Sequence, residues 1–255
     1  MPYLNNAMCY DISAQLKSQL SRAKRMGDET AQKEITAIIE ENHLKDIYRA
    51  SGFEHPHCIV YDKSSIFVAR WGLIPYWIQD EKAARKIENS TLNARIESIQ
   101  EKPSFHEAAQ HSRAILYIDG FFEHHFRNNE AYPFYVQKSG EEPMIVACLY
   151  DTSTKFSESV STFSIVTTVA NSFMKEIHNK PEHGASRMPL ILNSDQAELW
   201  LNTERDIDKL TAQLTIDNNL NLKAHSVEKI RGKNSLGNTA KAIEPKQYQA
   251  FQTLF

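Results

Sequence analysis

Four stretches of the 255-residue chain set reactive or polar side chains into otherwise apolar runs. They are Met8-Cys9-Tyr10; WGLIPYW (71–77), with TLNARIES (91–98) and EKPSF (101–105) behind it; RAILYIDGFFEH (113–124); and FSIVTTVANSFMKEIHN (163–179), followed by RMPLIL (187–192). Cys9 supplies a thiol, whose ionised form is the nucleophile. His178 and Glu123 are the residue types that proton transfer near neutral pH calls for, and Asn93 offers a fixed amide. Each also has a plainer use: Cys9 as a small packing residue, Asn93 as a turn cap, Glu123 at the surface end of a strand, His178 at a helix terminus. Three polar groups beside one thiol also fit the template of a cysteine hydrolase or peptidase.

Taken in this order, the motifs WGLIP, NAR-E, DGF-E and IH…RMP, with Met-Cys upstream, resemble the SRAP family. Its members were named SOS-response-associated peptidases and include DNA-repair proteins that crosslink to abasic sites. The resemblance covers about residues 53–245, plus Met8-Cys9. It implies a fold, a chemistry and a partner. The cysteine, once N-terminal, is a 1,2-aminothiol. Its amine forms an imine with the ring-opened aldehyde of an abasic deoxyribose, and its thiol closes a thiazolidine on the same carbon. An internal cysteine, whose nitrogen is an amide, cannot do this. An α-amine near 7.7–8.0 and a thiol near 8.5 need modest tuning to react at neutrality.

The resemblance further implies catalytic roles for Asn93, which positions the amine and the sugar, for Glu123, which handles protons there, and for His178, a general acid–base. For DNA binding it points to Arg95 as a phosphate ligand, to Trp71, with Trp77 second, as a stacking or wedging group, and to Thr167 at the backbone; the plainer use of the two tryptophans is in the core, where at least one is expected. Lys229, Arg231 and Lys233 form a basic cluster able to track phosphates. The expected partner is single-stranded DNA containing abasic sites, bound by a monomer, with lyase side chemistry. Self-cleavage of a leader is the peptidase alternative, and a non-catalytic single-stranded DNA-binding module is another. No cofactor and no metal are expected: His55, His57, His124, His125 and His183 lack a ligand spacing such as HExxH.

The chain departs from the family pattern at its front. Seven residues precede Met8, so Cys9 needs a start at Met8 with methionine removal, or loss of a leader (1–8), before its amine is free. The usual Met-Cys-Gly-Arg is here Met8-Cys9-Tyr10-Asp11, without the arginine. The segment KPEHGAS (180–186) is extra.

Composition sets outer bounds. The net charge of −3, from 29 basic and 32 acidic residues, gives no global attraction for nucleic acid, so any DNA contact must use a local patch. Three dispersed cysteines without a CxxC pair suit a reducing cytoplasm. No apolar run reaches the ~20 residues of a membrane span.

The elements that must carry these residues are mostly strands. HCIVY (57–61) and IFVAR (66–70) predict a hairpin, and AILYI, YPFYV, MIVACL and FSIVTT read as further strands. Helical spacing predicts a helix from Ile12 to Met26, capped by Asp11 and stopped at Gly27, and a second over about 29–48. Together these form a helical insertion at 12–50. Ser194 is expected to cap a helix over DQAELWL, and Asp206–Leu214 a further one. The tail from Ser226 to Pro245 reads as a basic loop. The fold class is α+β: one domain over 1–255, a largely antiparallel, barrel-like sheet flanked by helices.

Overall fold

The computed structural model describes residues 10–140, 142–153, 159–179, 185–214 and 220–251. In chain order the strands are β1 (Asp11–Ala14), β2 (Ile47–Ser51), β3 (His57–Tyr61), β4 (Ile66–Trp71), β5 (Asn93–Arg95), β6 (Arg113–Ile118), β7 (Gly120–Arg127), β8 (Glu130–Lys138), β9 (Met144–Ser153), β10 (Val160–Val169), β11 (Arg187–Pro189), β12 (Ile191–Leu192) and β13 (Leu222–Ser226). The helices are α1 (Leu16–Arg25), α2 (Glu29–Glu41), α3 (Glu81–Ile87), α4 (Pro103–His111), α5 (Ser172–Ile177), α6 (Ser194–Leu201) and α7 (Ile207–Leu214).

Strands β10, β4, β3, β6 and β9 follow one another and close through the β9–β10 pairing, giving a five-stranded barrel. The fold is α+β with a largely antiparallel barrel, as the strand pattern implies. Its strands alternate between two buried faces. Cys58, Val60, Ala114, Leu116, Val146 and Cys148 fill the barrel. Ile115, Tyr117, Ala147 and Leu149 face outward under α4, α6 and α7. Burial on both faces is why these strands read as nearly unbroken apolar runs.

A second sheet, ordered β13-β8-β7-β1-β2, packs Tyr10, Ile12, Phe121 and Val136 onto the same core. On its other face Phe122 and Tyr135 meet Val227 and Ile230 of the tail. The tight start of β7 needs Gly120: a Cβ there would lie 2.3 Å from the ring of Tyr135. Gly72, at φ +116°, is likewise forced, since a Cβ would lie 2.8 Å from His55 Nδ1.

The insertion at 12–50 is only partly helical. Asp11–Ala14 is a strand, hydrogen-bonded to β2 on one side and β7 on the other. Ile12 and Ala14 face the core, and the fourfold spacing to Leu16 merely imitates a helix. α1 starts at Leu16, and Asp119 and Asp46 cap it from a distance, accepting from Gln15 N (2.6 Å) and Leu16 N (2.9 Å). α2 is capped by Asp28 and ends at Glu41, with His43 turning left-handed (φ 50°), so Ile47 and Tyr48 are strand. Gly27 does stop α1, in the left-handed region at φ 67°. Asn193, not Ser194, caps α6, sharing a reciprocal capping box with Gln196. The expected loop over the tail holds only short turns and 3-10 segments, but β13 just before it extends the second sheet.

Candidate active site

Glu123 and His178 meet between the second sheet and α5. Glu123 lies on the core-facing side of β7, two residues after Phe121, opposite Phe134 of β8. His178 caps the C-terminal end of α5, and its N–H donates to Met174 O (2.8 Å). The six-residue helix is held to β7 by Asn179, which accepts from Phe126 N and donates to Phe126 O, both at 2.8 Å. This amide acts as a short strand surrogate, and it fixes the imidazole beside the carboxylate. His125 Nδ1 bonds Glu176 O, and Ser186 Oγ donates to His178 O, closing the clamp.

His178 Nδ1 stands 3.5 Å from Glu123 Oε2, with both side chains less than a tenth exposed. Neither of these two atoms has a hydrogen-bonding partner among the described residues. Glu123 Oε1 accepts from His124 N (2.9 Å). Burial raises the Glu123 carboxyl to about 7; the His124 N–H opposes this and the nearby Asp11 charge adds to it. Burial also lowers His178 below its ordinary value. His124 is pushed down to about 4, by burial first and then by the Arg231 charge. Near neutrality the pair is therefore a carboxyl poised between its two forms beside a neutral imidazole. Such a pair can deliver or take a proton at low cost.

Asp11 stands close by, buried on β1. It accepts from Arg49 Nε (2.9 Å) of β2 and from Arg231 Nη2 (2.7 Å) of the tail. Arg49 Nη1 also pairs with Glu54 Oε1 (3.3 Å), so two guanidinium groups share two carboxylates, and Arg231, 47% exposed, reaches the surface. Neither Asp11 nor Arg49 stands out from the sequence except as a charge inside an apolar strand. Arg187, quoted in the RMP motif without a role, is buried too. It bonds Thr167 O (2.8 Å) and Glu97 (2.7 Å), tying β10 to the turn after β5.

The remaining candidates divide by exposure. Asn93 is 7% exposed and sits in β5, in parallel register with Ile165 of β10. Arg95, two residues on, is exposed. Trp71 is corrected as a base-stacking residue: it is 0% exposed, stacks on Phe163 in the barrel and donates to Leu92 O. Trp77, 42% exposed, is the surface tryptophan of that segment. Thr167 is also withdrawn from the surface, its hydroxyl taken by Arg187 and Ala94 O. Lys229 donates to Ala131 O (2.6 Å) and lies over the Tyr132 ring, and Arg231 pairs with Asp11; Lys233, the third member of the cluster, is exposed. Cys9 and His183 lie outside the described residues.

A five-stranded barrel, a second sheet packed on it and a buried carboxyl–imidazole pair between that sheet and α5 make up the frame that the comparisons place in a family. The model of the family described as SOS response associated peptidase (SRAP) matches residues 8–233, and the chain belongs to that family. Among curated proteins it is 32% identical over 173 residues to abasic site processing protein YoaM of Bacillus subtilis, covering 66% of this chain and 71% of YoaM. It is 30% identical over 185 residues to abasic site processing protein YoqW of the same organism, covering 71% of this chain and 78% of YoqW. A crystal structure of a protein from Bacteroides thetaiotaomicron superposes with TM-score 0.76 at 28% identity, covering 94% of this chain and all of the other.

Proposed function

We propose that this protein captures abasic sites in single-stranded DNA by forming a thiazolidine between Cys9, as the mature N-terminal residue, and the ring-opened deoxyribose. The reading rests on one observation, the buried Glu123–His178 pair at 3.5 Å on the core-facing side of the sheet that β1 enters. The names of YoaM and YoqW support the substrate class. Tyr10, which Cys9 precedes in the sequence, is buried in the core, and continuing the β1–β7 register by one residue sets it opposite Glu123.

The roles follow from the protonation states. Neutral α-amine of Cys9 attacks the sugar aldehyde, and a carbinolamine forms. Protonated Glu123 donates to the departing hydroxyl, which leaves as water, and the iminium N–H returns its proton to the Glu123 carboxylate, giving the imine. The Cys9 thiol adds to the imine carbon, its proton passing to the nitrogen by way of neutral His178. One C–N and one C–S bond are made, one C=O bond is lost, and water is the sole by-product. Asn93 positions the amine and the sugar; Arg95, Trp77 and Lys233 are the exposed groups suited to the strand's phosphates and bases.

Release of the amine by initiation at Met8 and methionine removal is the simpler route, because cysteine is small enough to permit it. The test is incubation with single-stranded DNA bearing one abasic site, read on a denaturing gel, using protein whose terminus is verified as Cys9 by mass spectrometry. A retarded covalent band is expected, absent in Cys9→Ala. No band from verified protein refutes the reading.

A further inference from the structure

Immediately beside the Glu123–His178 pair lies a cavity of about 650 Å³. Its walls include His125 and Phe134 of the second sheet, Ile177 of α5, Ala224 of β13, and Tyr248 and Phe251 of the tail. Two of these are immediate neighbours of the reactive pair. Phe134 is the cross-strand partner of Glu123, and Ile177 precedes His178. The tail is fastened over the cavity, with Lys246 N donating to Ser226 O (2.7 Å) and Tyr248 Oη to Val227 O (2.7 Å). Phe251 stands edge-on to the rings of His125 and Phe134 at 5.6 Å each. The tail wall, residues 245–251, falls beyond the family match, which ends at 233.

The geometry points to a subsite for an unpaired nucleobase, the one carried by the nucleotide next to the reacting sugar. This deepens the proposed function and rests on it. A DNA strand whose sugar is held at Glu123 must place its neighbouring nucleotide one linkage away, and the cavity begins at Phe134 and Ile177, the immediate neighbours of Glu123 and His178. Its volume is that of a small-ligand pocket. Its lining is aromatic planes with a polar rim of His225, Ser226 and Gln247, which suits a π-face with hydrogen-bonding edges. An aliphatic or acyl ligand has no reason to be delivered here, whereas a base arrives tethered to the substrate.

The probe is a single-stranded oligonucleotide carrying tetrahydrofuran, a stable abasic analogue that cannot form the crosslink, with 2-aminopurine on its 5′ or its 3′ side. Binding to the wild-type protein is expected to quench 2-aminopurine on one side at least twofold more than on the other. Two variants test the walls independently: Phe251→Ala removes one, and Ala224→Phe fills the space. Both are expected to abolish the asymmetric quenching and to weaken binding about tenfold, toward the lower end of what one stacked base contributes. Retained Glu123–His178 chemistry is checked by crosslinking of an authentic abasic oligonucleotide. Equal quenching on both sides, or asymmetry that survives in both variants, overturns the subsite. Loss of crosslinking in the wild-type protein, with quenching intact, overturns the thiazolidine reading instead and leaves the subsite standing.

Discussion

Burying Glu123 should make this protein less stable as the pH rises, and Glu123→Gln should remove that dependence. The folded carboxyl titrates at about 7, against 4.5 for an ordinary glutamate. Between those values the folded state binds a proton that the unfolded state has released. Stability is therefore unaffected by this group below about pH 4.5, declines through the interval, and levels off once pH exceeds 7. The difference corresponds to about 3 kcal/mol at pH 8 and less than about 0.5 kcal/mol at pH 4.5. Gln keeps the shape and the acceptor for His124 N, and it carries no ionisable proton. His178 and His124 titrate in both proteins, so to first order their contributions cancel in the comparison. The assay is urea unfolding of the wild type and Glu123→Gln at pH 4.5 and pH 8, followed by intrinsic fluorescence. The stability gap in favour of the variant should widen by about 3 kcal/mol between the two conditions. For a domain of this size that is about 6–12 °C in melting temperature at pH 8. A gap that stays constant to within about 0.5 kcal/mol shows that the carboxyl ionises normally, and the proton-donor role assigned to it then has no basis.

Crosslinking by the wild type should follow a bell with limbs set by the Cys9 amine and by Glu123; the alkaline limb should vanish in Glu123→Gln, as rate measurements between pH 5.5 and 9 will show. Asp11→Ala should cost about 3 kcal/mol in chemical denaturation because it leaves the buried Arg49 only its 3.3 Å contact with Glu54, whereas Arg231→Ala, half-exposed, should cost less than about 1 kcal/mol. Trp71→Ala should lose about 3–5 kcal/mol of stability, while Trp77→Ala should unfold like the wild type and show its defect in oligonucleotide affinity, measured by fluorescence anisotropy. Asn179→Ala should slow crosslinking even at saturating oligonucleotide, since it loosens the clamp on His178, as single-turnover rates will show.

The barrel was legible because its strands are apolar on both faces and separated by turn residues, so β3, β4, β6, β9 and β10 announce themselves. The Glu123–His178 pairing was legible as two residue types in two motifs, but their meeting depends on Asn179 reaching across to Phe126, a long-range bond with no local signature. β1 was hidden for the opposite reason. Its Ile12 fits a helical repeat, and only pairing with β2 and β7 on both sides decides against it. Asp11 looked like a helix cap and a missing arginine; in the fold it anchors two arginines from distant parts of the chain. Trp71 and Thr167 illustrate the limit of motif reading. A residue within a functional motif can serve it from the core, and composition does not reveal which way the side chain turns.

β10 forms backbone ladders with β4, β5, β9 and β11, so the asparagine-bearing segment, the barrel wall and the arm leading back from α5 all hang from one ten-residue rail. A single inserted residue near its middle would turn every downstream side chain to the opposite face. The position of Asn93 relative to the arm that leads back from α5 is thus set along one strand, whereas Glu123 comes to the pair from the other sheet.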